Sequence, residues 1–302
     1  MKQAALPLII GDCHALLFRA AKTLPCQVAH VGPITADAFC RRQSPMRRLF
    51  DQLILQTGGV AQRTVVLSIS EIDIRAHFWR DLPILLARGM SLEQFVQRRV
   101  AGYLDEVKNF IDETGVSRVV LWGPPASLLG QAPHNDEFPT AGSNRTRNLL
   151  THTFNHSVAA TASGVSDRIG FASMFYDMIH NDFTSNSSWI PDAIHIPDDR
   201  VTDCCERLEP VLNGIPLSLG PALSMVPELA VELCIAPYER PHRDSPREFF
   251  KNWLLTENTE QSVTIAGQAF AFVSDASVPS DAVGVSSLGL QVRPFSSPAS
   301  PP

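Results

Sequence analysis

Short apolar runs that alternate with amphipathic segments are the feature that most constrains the fold of this chain. Five such runs are rich in β-branched and aliphatic residues, and each ends near a glycine, a proline or a polar turn. They span residues 5–10, 27–31, 64–68, 118–122 and 168–175. Short runs without polar alternation are typical of strands that are buried on both faces, as in a parallel sheet.

The segments between the runs have helical spacing. Residues 91–114 are the clearest case, because apolar side chains recur every three or four residues, Ser91 can cap the start and Gly115 can end the helix. Further helices are predicted over 13–24, 35–57 with a break near Pro45, 144–163 and 201–212. The alternation predicts a three-layer α/β/α fold around a mostly parallel five-stranded sheet.

The rhythm of strands and helices stops near residue 215, where prolines become frequent. We expect an α/β domain over 1–215, a small β-rich extension over 216–295 and a disordered low-complexity tail over 296–302. Within the extension, strands are predicted over 229–235 and 262–273, and a short helix over 246–255.

Composition and charge bear on three questions: whether the chain binds nucleic acid, whether it spans a membrane and whether its cysteines are free. The 302 residues carry a formal charge of −6, so nucleic acid is not an expected partner. No apolar stretch is long enough to predict a membrane span, and the first residues lack a signal-peptide pattern, so we expect a cytoplasmic protein. The six cysteines include no C-x-x-C pair, which favours free thiols over a metal site or a disulfide framework.

The first candidate for chemistry is the segment Gly11-Asp12-Cys13-His14, at the end of the first predicted strand and the start of a helix. The positive end of a helix dipole favours thiolate, so the pKa of Cys13 is predicted to be lowered. Backbone N–H groups of the first helical turn could stabilise an oxyanion. The alternative is that Cys13 is a small buried residue beneath a turn.

The second candidate is the pair Asp192 and His195, in the loop before the last helix. A carboxylate three residues before an imidazole can fix its tautomer and leave Nε2 as a general base. The alternative is an exposed loop with an accidental D-x-x-H pattern. Because both candidates follow strands of a parallel sheet, they are expected at one rim, as nucleophilic catalysis requires.

These segments resemble the blocks of the SGNH (GDSL) hydrolase family. Gly11-Asp12-Cys13 resembles its G-D-S block, and residues 192–195 resemble its D-x-x-H block. Residues 70–77, SEIDIRAH, are similar to the G-E-I-D-x-R-x-H block of a bacterial branch in which the first block often reads G-D-S-H. The resemblance covers about residues 5–212 and also includes 32–35, 123–125 and 144–155.

The resemblance implies an SGNH hydrolase or flavodoxin-like fold and an acyl-ester site. Cys13 stands at the nucleophile position, His195 at the base and Asp192 at the residue that orients the base. The oxyanion hole of the family combines the N–H of the nucleophile, here Cys13, with a second-block glycine N–H, here Gly32, and a third-block asparagine side chain. The remaining residues expected at the oxyanion or substrate are Asp12, His14, Ser70, Arg75 and His77.

Three departures from the family pattern bear on activity. Cys13 replaces the serine, Ser70 replaces a glycine, and Ile72 occupies the asparagine position. Isoleucine cannot donate a hydrogen bond, and loss of one oxyanion donor costs about 100- to 1000-fold in rate. Arg75 and His77 are the candidates for a replacement donor.

Three other groups of residues are interpreted as structural. Glu71 and Asp73 flank the end of the third strand and could act as paired carboxylates, but the family resemblance favours a structural role for them. His152 and His156 have i,i+4 spacing but no accompanying metal motif, so a solvated helix face is expected. A solvated helix face is also expected for the basic cluster of Arg41, Arg42, Arg47 and Arg48.

The sequence therefore predicts an esterase or acyl hydrolase that acts on an acyl ester of a saccharide or small metabolite, without a metal or an organic cofactor. Two alternatives remain open. One is a catalytically degenerate binding protein on the same fold, and the other is an acyltransferase, which shares the first half-reaction and differs in the acceptor.

Overall fold

The computed structural model describes residues 5–79, 81, 89–127, 143–189 and 195–216, and three strands between 261 and 294. Several predictions lie outside the described residues. These are the strand over 229–235, the helix over 246–255, the tail over 296–302 and the position of Asp192.

The five predicted strands form one parallel sheet in the order β2-β1-β3-β4-β5. Their bounds are β1 Leu8–Gly11, β2 Gln27–His30, β3 Thr64–Ser68, β4 Arg118–Trp122 and β5 Ile169–Ala172. Since all neighbouring strands run the same way, all their carboxyl ends lie at one edge. The predicted parallel five-stranded sheet is confirmed.

Within the described ranges, five α-helices with defined bounds connect or flank these strands. They are α1 Ala36–Cys40, α2 Pro45–Gln56, α3 Leu92–Thr114, α4 Asn144–Val165 and α5 Val201–Leu212. Helix α3 has the predicted ends: Ser91 and Gln94 form a capping box, and Gly115 closes the helix with a left-handed φ of 67°. A π-helical turn follows β3 over Asp73–His77.

Two predicted elements differ from the structure. The segment behind β1 is a 3-10 helix that ends at Ala20, where an extended Ala21 turns the chain. Helix α4 continues through Gly164 to Val165. A single glycine costs a helix only about 1 kcal/mol, which packing against the sheet can offset.

Alternate strand residues face two separate apolar layers. Leu8 and Ile10 of β1 pack on one side with helices α1 to α4, whereas Ile9 packs on the other side with α5 and the 3-10 helix. This alternation follows from the two-residue period of a strand. The fold is thus a three-layer α/β/α arrangement, as predicted.

The basic cluster is not uniformly solvated, which corrects the sequence-based expectation. The Arg47 side chain is 5% exposed, donates from Nη1 to Glu106 Oε1 at 2.8 Å and lies over the Phe39 ring at 4.3 Å. A buried guanidinium requires such a partner, because an unpaired buried charge is strongly destabilising. Arg41 and Arg42 remain largely exposed.

Three described strands in the C-terminal region form an antiparallel sheet in the order β6-β7-β8. Their bounds are β6 Gln261–Ile265, β7 Gln268–Ser274 and β8 Leu290–Pro294. The predicted strand over 262–273 is therefore two strands. Across the described ranges, no helix combines the length and apolar character that crossing a membrane would take.

Gly11, at the end of β1, pairs with Ser68 at the end of β3 and packs closely against its backbone. A Cβ atom at this position would overlap the carbonyl oxygen of Ser68 and lie 2.7 Å from its carbon. The same closeness allows the Asp12 N–H to donate to the Ser68 carbonyl at 2.9 Å. Only glycine fits here without moving one of the two central strands.

We expect Gly11→Ala to lower the free energy of unfolding by about 3 kcal/mol, the upper end of the usual range for overpacking, since the added methyl group meets rigid backbone. Urea denaturation followed by circular dichroism measures this loss. The matched control is Gly102→Ala in α3, where a Cβ would meet nothing within 4 Å. That control should be stabilised by about 0.5–1 kcal/mol, and equal effects of the two substitutions would contradict the steric argument.

Candidate functional site

Three loops meet at the carboxyl edge of the central strands. The chain leaving β1 is fixed on one side by the Asp12 N–H bond to Ser68 and on the other by the Val31 N–H, which donates to the Gly11 carbonyl at 2.8 Å. Asp12 therefore begins beside the loop after β2, which contains Gly32, and beside the segment after β3, which begins at Ser70. Three segments that are far apart in the sequence thus lie together at this edge. We call it the rim, and it comprises the segments after β1, β2 and β3.

Asp12 is a buried helix cap. Its side chain is almost fully enclosed, and Oδ1 accepts the backbone N–H of His14 at 3.0 Å. Oδ2 has no hydrogen-bond partner among the described residues. Burial raises the pKa of this carboxyl well above its ordinary value, and the nearby negative charge of Glu71 raises it further. Asp12 thus shapes the turn that presents Cys13.

Cys13 is half-buried and holds a thiol that resists ionisation. Burial raises the pKa of Cys13 to about 12, with further increases from the charges of Asp12 and Glu71. Its own backbone N–H and Arg75 act in the opposite direction but are weaker. The predicted lowering of this pKa by a helix dipole is wrong, because burial and the charges of Asp12 and Glu71 raise it.

His14 connects the turn after β1 to an ion pair from the segment after β3. Its Nε2 lies 3.9 Å from Glu71 Oε2. Arg75 binds the same carboxylate with two groups, Nε to Oε1 at 2.8 Å and Nη2 to Oε2 at 3.3 Å. All three side chains are largely buried. Arg75 is thus held by Glu71 at the predicted rim, and bidentate pairs of this kind fix side-chain position.

His195 reaches the same place from the loop before α5. Its ring centroid is 5.4 Å from that of His14, with the planes tilted by 45°. The segment that contains Cys13 and His14 and the loop that contains His195 therefore approach each other. In the described part of the chain, no hydrogen bond joins Cys13 Sγ to His195, and Asp192 lies outside it, so the complete triad stays a prediction.

Asp73 braces the loop that follows β2. Its Oδ2 accepts the Ala36 N–H at 2.5 Å and its Oδ1 accepts the Asp37 N–H at 3.4 Å, both at the start of α1. His77 Nδ1 lies 3.4 Å from Asp73 Oδ1. Gly32 precedes this braced helix start and has a φ of 92°, which only glycine adopts readily. Asp73 and His77 thus contribute to loop structure.

The third-block positions agree with the expected loss of a side-chain donor. Ile72 is 3% exposed and belongs to the apolar core. Ser70 is buried, and its carbonyl accepts the Ile74 N–H at 3.4 Å as the helical segment begins. Neither position presents an amide side chain like that of the family asparagine.

Asp12, Cys13 and His14 are the one group of metal-ligating residue types in the described ranges whose ligand atoms lie within 4.8 Å of one another. Asp12 Oδ1 already caps the helix, and His14 Nε2 faces Glu71. We assign no metal to this group.

Glu71, which the sequence analysis interpreted as structural, contacts the candidate site directly. It touches His14, pairs with Arg75 and raises the pKa of Cys13. The i,i+4 spacing of Glu71 and Arg75 directly after a strand was a usable signal for an ion pair at the rim. Its contact with His14 depends on tertiary structure and has no sequence signature.

Comparisons with known proteins find similarities among solved structures. No protein-family model matches the chain, and a search of curated proteins finds no significant match. Among solved structures, the chain is similar to one described as "a putative platelet activating factor from Streptococcus pneumonia". The identity is 14% and the TM-score 0.46, over 70% of this chain and 85% of that chain. Similarity at this level assigns no activity.

We expect Cys13 to react with iodoacetamide roughly a thousandfold more slowly at pH 8 than an ordinary thiol, because so little of it is thiolate when its pKa is about 12. Mass spectrometry of the Cys13 peptide measures the rate, which should still rise at pH 10. Glu71→Gln removes one of the charges that raise the pKa and should accelerate alkylation. A rate equal to that of the unfolded chain would contradict the assignment.

We expect Asp12→Asn to increase thermal stability at pH 8 by about 1 kcal/mol or more. The folded-state pKa of Asp12 is raised, so its contribution is favourable at low pH and is lost as pH rises through that pKa. Asparagine keeps the capping oxygen without a buried charge. Differential scanning calorimetry from pH 4 to 8 should show the difference from wild type shrinking toward pH 4, and a constant difference would refute it.

Proposed function

We propose that this chain is an acyl-ester hydrolase of the SGNH type, acting on an acyl ester of a saccharide or small metabolite. The observation that supports the proposal is the contact of the His195 ring with the ring of His14, the residue after Cys13, at the carboxyl edge of β1. Ligand sites of open parallel sheets lie at this edge. The family resemblance implies the same layout, with a nucleophile that follows the first strand, here Cys13, and an imidazole from the loop before the last helix, here His195.

In the proposed reaction, Cys13 attacks as a thiol that loses its proton during bond formation. A preformed thiolate is disfavoured near neutral pH because the pKa is about 12. Sγ bonds to the ester carbonyl carbon while His195 takes the thiol proton and then gives it to the leaving alkoxide, which departs as the alcohol. Water then attacks the thioester with His195 again as base, releasing the acid and restoring the thiol.

The oxyanion would be stabilised by two backbone groups. The Cys13 N–H lies beside Sγ, since it lowers the pKa of that thiol, and Gly32 follows the neighbouring strand. Ile72 supplies no third donor because its side chain is in the core. We therefore expect turnover to be slow, by about 100- to 1000-fold relative to a site with all three donors.

The Glu71–Arg75 pair has a positioning role in this proposal. Glu71 is fixed by two contacts from Arg75 and faces His14, whose ring in turn contacts the ring of His195. The ion pair would thus limit where the imidazole of His195 can lie. Because His195 would have to remove a proton from the Cys13 thiol during the attack, the rate would depend strongly on how the two side chains are positioned.

We expect wild type to hydrolyse short p-nitrophenyl esters or acetylated saccharides, and Cys13→Ala and His195→Ala each to lower kcat/KM by about 100-fold or more. The matched control is Cys26→Ala, which removes another half-buried thiol with a raised pKa and should leave activity unchanged. Adding an acceptor alcohol separates hydrolysis from acyl transfer. Full activity in Cys13→Ala would exclude the proposed nucleophile.

Binding without turnover is a second candidate, and the high pKa of Cys13 together with the buried Ile72 favours it. On this reading wild type binds an acyl saccharide but does not cleave it. Cys13→Ser, which restores the nucleophile of the resembled family, would then gain esterase activity that wild type lacks. If wild type and Cys13→Ser are equally inactive and both still bind the acyl saccharide, the missing activity would be assigned to the oxyanion hole, which lacks a donor at Ile72.

A further inference from the structure

The buried carboxyl group of Asp12 lies directly beside the sulfur of Cys13. One Asp12 carboxyl oxygen, Cys13 Sγ and a ring nitrogen of His14 all lie within 4.8 Å of one another. Asp12 is 1% exposed, and its Oδ2 has no hydrogen-bond partner among the described residues, whereas Oδ1 caps the helix. Because water screens such an enclosed group poorly, the sulfur must respond to any change in the charge of Asp12.

The charges around Asp12 disfavour its ionised form. Arg75 attracts a negative charge on Asp12 but pairs with Glu71, through Nε to Oε1 at 2.8 Å and Nη2 to Oε2 at 3.3 Å. An ionised Asp12 would therefore add a buried negative charge beside a pair that is already neutral, which is strongly unfavourable. In agreement, burial raises the pKa of Asp12 well above its ordinary value, and the charge of Glu71 raises it further.

The titratable and charged groups around Asp12 come from the segments after β1 and β3, from α3 and from the loop before α5. They are Cys13, His14, Glu71, Asp73, Arg75, Tyr103 and His195. Burial raises the pKa of Cys13 to about 12 and the pKa of Tyr103 well above its ordinary value. Since the ordinary pKa of an aspartic acid is far lower than that of a thiol or a phenol, Asp12 is expected to ionise before either of them as pH rises.

The proposed reaction builds up negative charge close to Asp12. Sγ gains charge as His195 takes its proton, and the charge then moves to the oxyanion on the carbon that bonds Sγ. A protonated Asp12 is neutral and does not oppose this charge. An ionised Asp12 repels it from within 4.8 Å of Sγ. In a partly buried setting, that repulsion is large enough to slow the attack by about tenfold or more.

We propose that Asp12 sets the upper pH limit of the activity: Cys13 attacks an ester while Asp12 is protonated, and ionisation of Asp12 suppresses the attack. This inference rests on the proposed function, in which Cys13 is the nucleophile. Asp12 acts through its charge on the sulfur and does not contact the substrate. Because the pKa of Asp12 is raised, the carboxyl is neutral below that pKa and ionised above it, so the suppressed range is the alkaline one.

Alkylation of Cys13 by iodoacetamide measures this coupling without requiring ester hydrolysis. In the folded full-length chain, Asp12→Asn should be alkylated at Cys13 about tenfold or more faster than wild type at pH 9, because the amide removes a charge that raises the pKa of the thiol. The difference should shrink toward lower pH as Asp12 becomes protonated. Cys26 is the internal control, since burial and Cys205 raise its pKa instead, and its rate should not change.

Wild type alone provides a second measurement, which does not depend on how the variant folds. Below its pKa, an isolated thiol is alkylated about tenfold faster per pH unit. Across the pH range in which Asp12 ionises, the rise for Cys13 should be smaller, because the growing charge on Asp12 lowers the thiolate fraction.

The pH profile of kcat/KM for p-nitrophenyl esters connects the coupling to activity. Wild type should lose activity on the alkaline side, whereas Asp12→Asn, checked for folding by circular dichroism, should keep it. Equal alkylation rates of the two proteins, with a full tenfold rise per pH unit in wild type, would overturn the proposal even if both hydrolyse esters. Faster alkylation of Asp12→Asn without hydrolysis by either protein would support the coupling and count against the hydrolase.

Discussion

The rim of this protein depends on the close approach of two central strands at Gly11 and Ser68. Because no side chain separates them, the Asp12 N–H reaches the Ser68 carbonyl, while the Gly11 carbonyl accepts the Val31 N–H from the other neighbouring strand. The chain therefore leaves the sheet in a fixed direction, and the segments after three different strands are placed against one another. The contact of His14 with Glu71 depends on this direction, because the two residues come from the segments after β1 and β3.

The charge balance of the rim is set by three buried or largely buried acids, Asp12, Glu71 and Asp73. Asp12 caps a helix, Asp73 accepts the first N–H groups of α1, and Glu71 pairs with Arg75. Burial and the charges of Asp12 and Glu71 together keep the Cys13 thiol protonated. The protein environment thus gives sulfur a protonation state closer to that of a serine hydroxyl than to that of a typical catalytic cysteine. For this reason, the proposed chemistry removes the proton during attack.

Much of the fold could be predicted from local patterns, because strand and helix periodicity and capping are local properties. The five-stranded sheet and the ends of α3 are examples. The pKa of Cys13 could not be predicted, since it depends on burial and on Glu71 from another strand end. The burial of Arg47 and His152 was also missed, because their partners Glu106 and Tyr176 are remote in sequence. The parallel order of the strands accounts for the contact between His14 and His195, whereas the complete triad stays a prediction.

The carboxylate of Asp73 links two segments that the chain order keeps apart. It belongs to the turn after β3 yet holds the first N–H groups of α1, directly after the loop that contains Gly32. The two loops therefore behave as one mechanical unit, and neither can be lengthened or exchanged alone without releasing buried hydrogen-bonding groups. Anyone who grafts this rim onto another α/β scaffold would need to transfer both segments together.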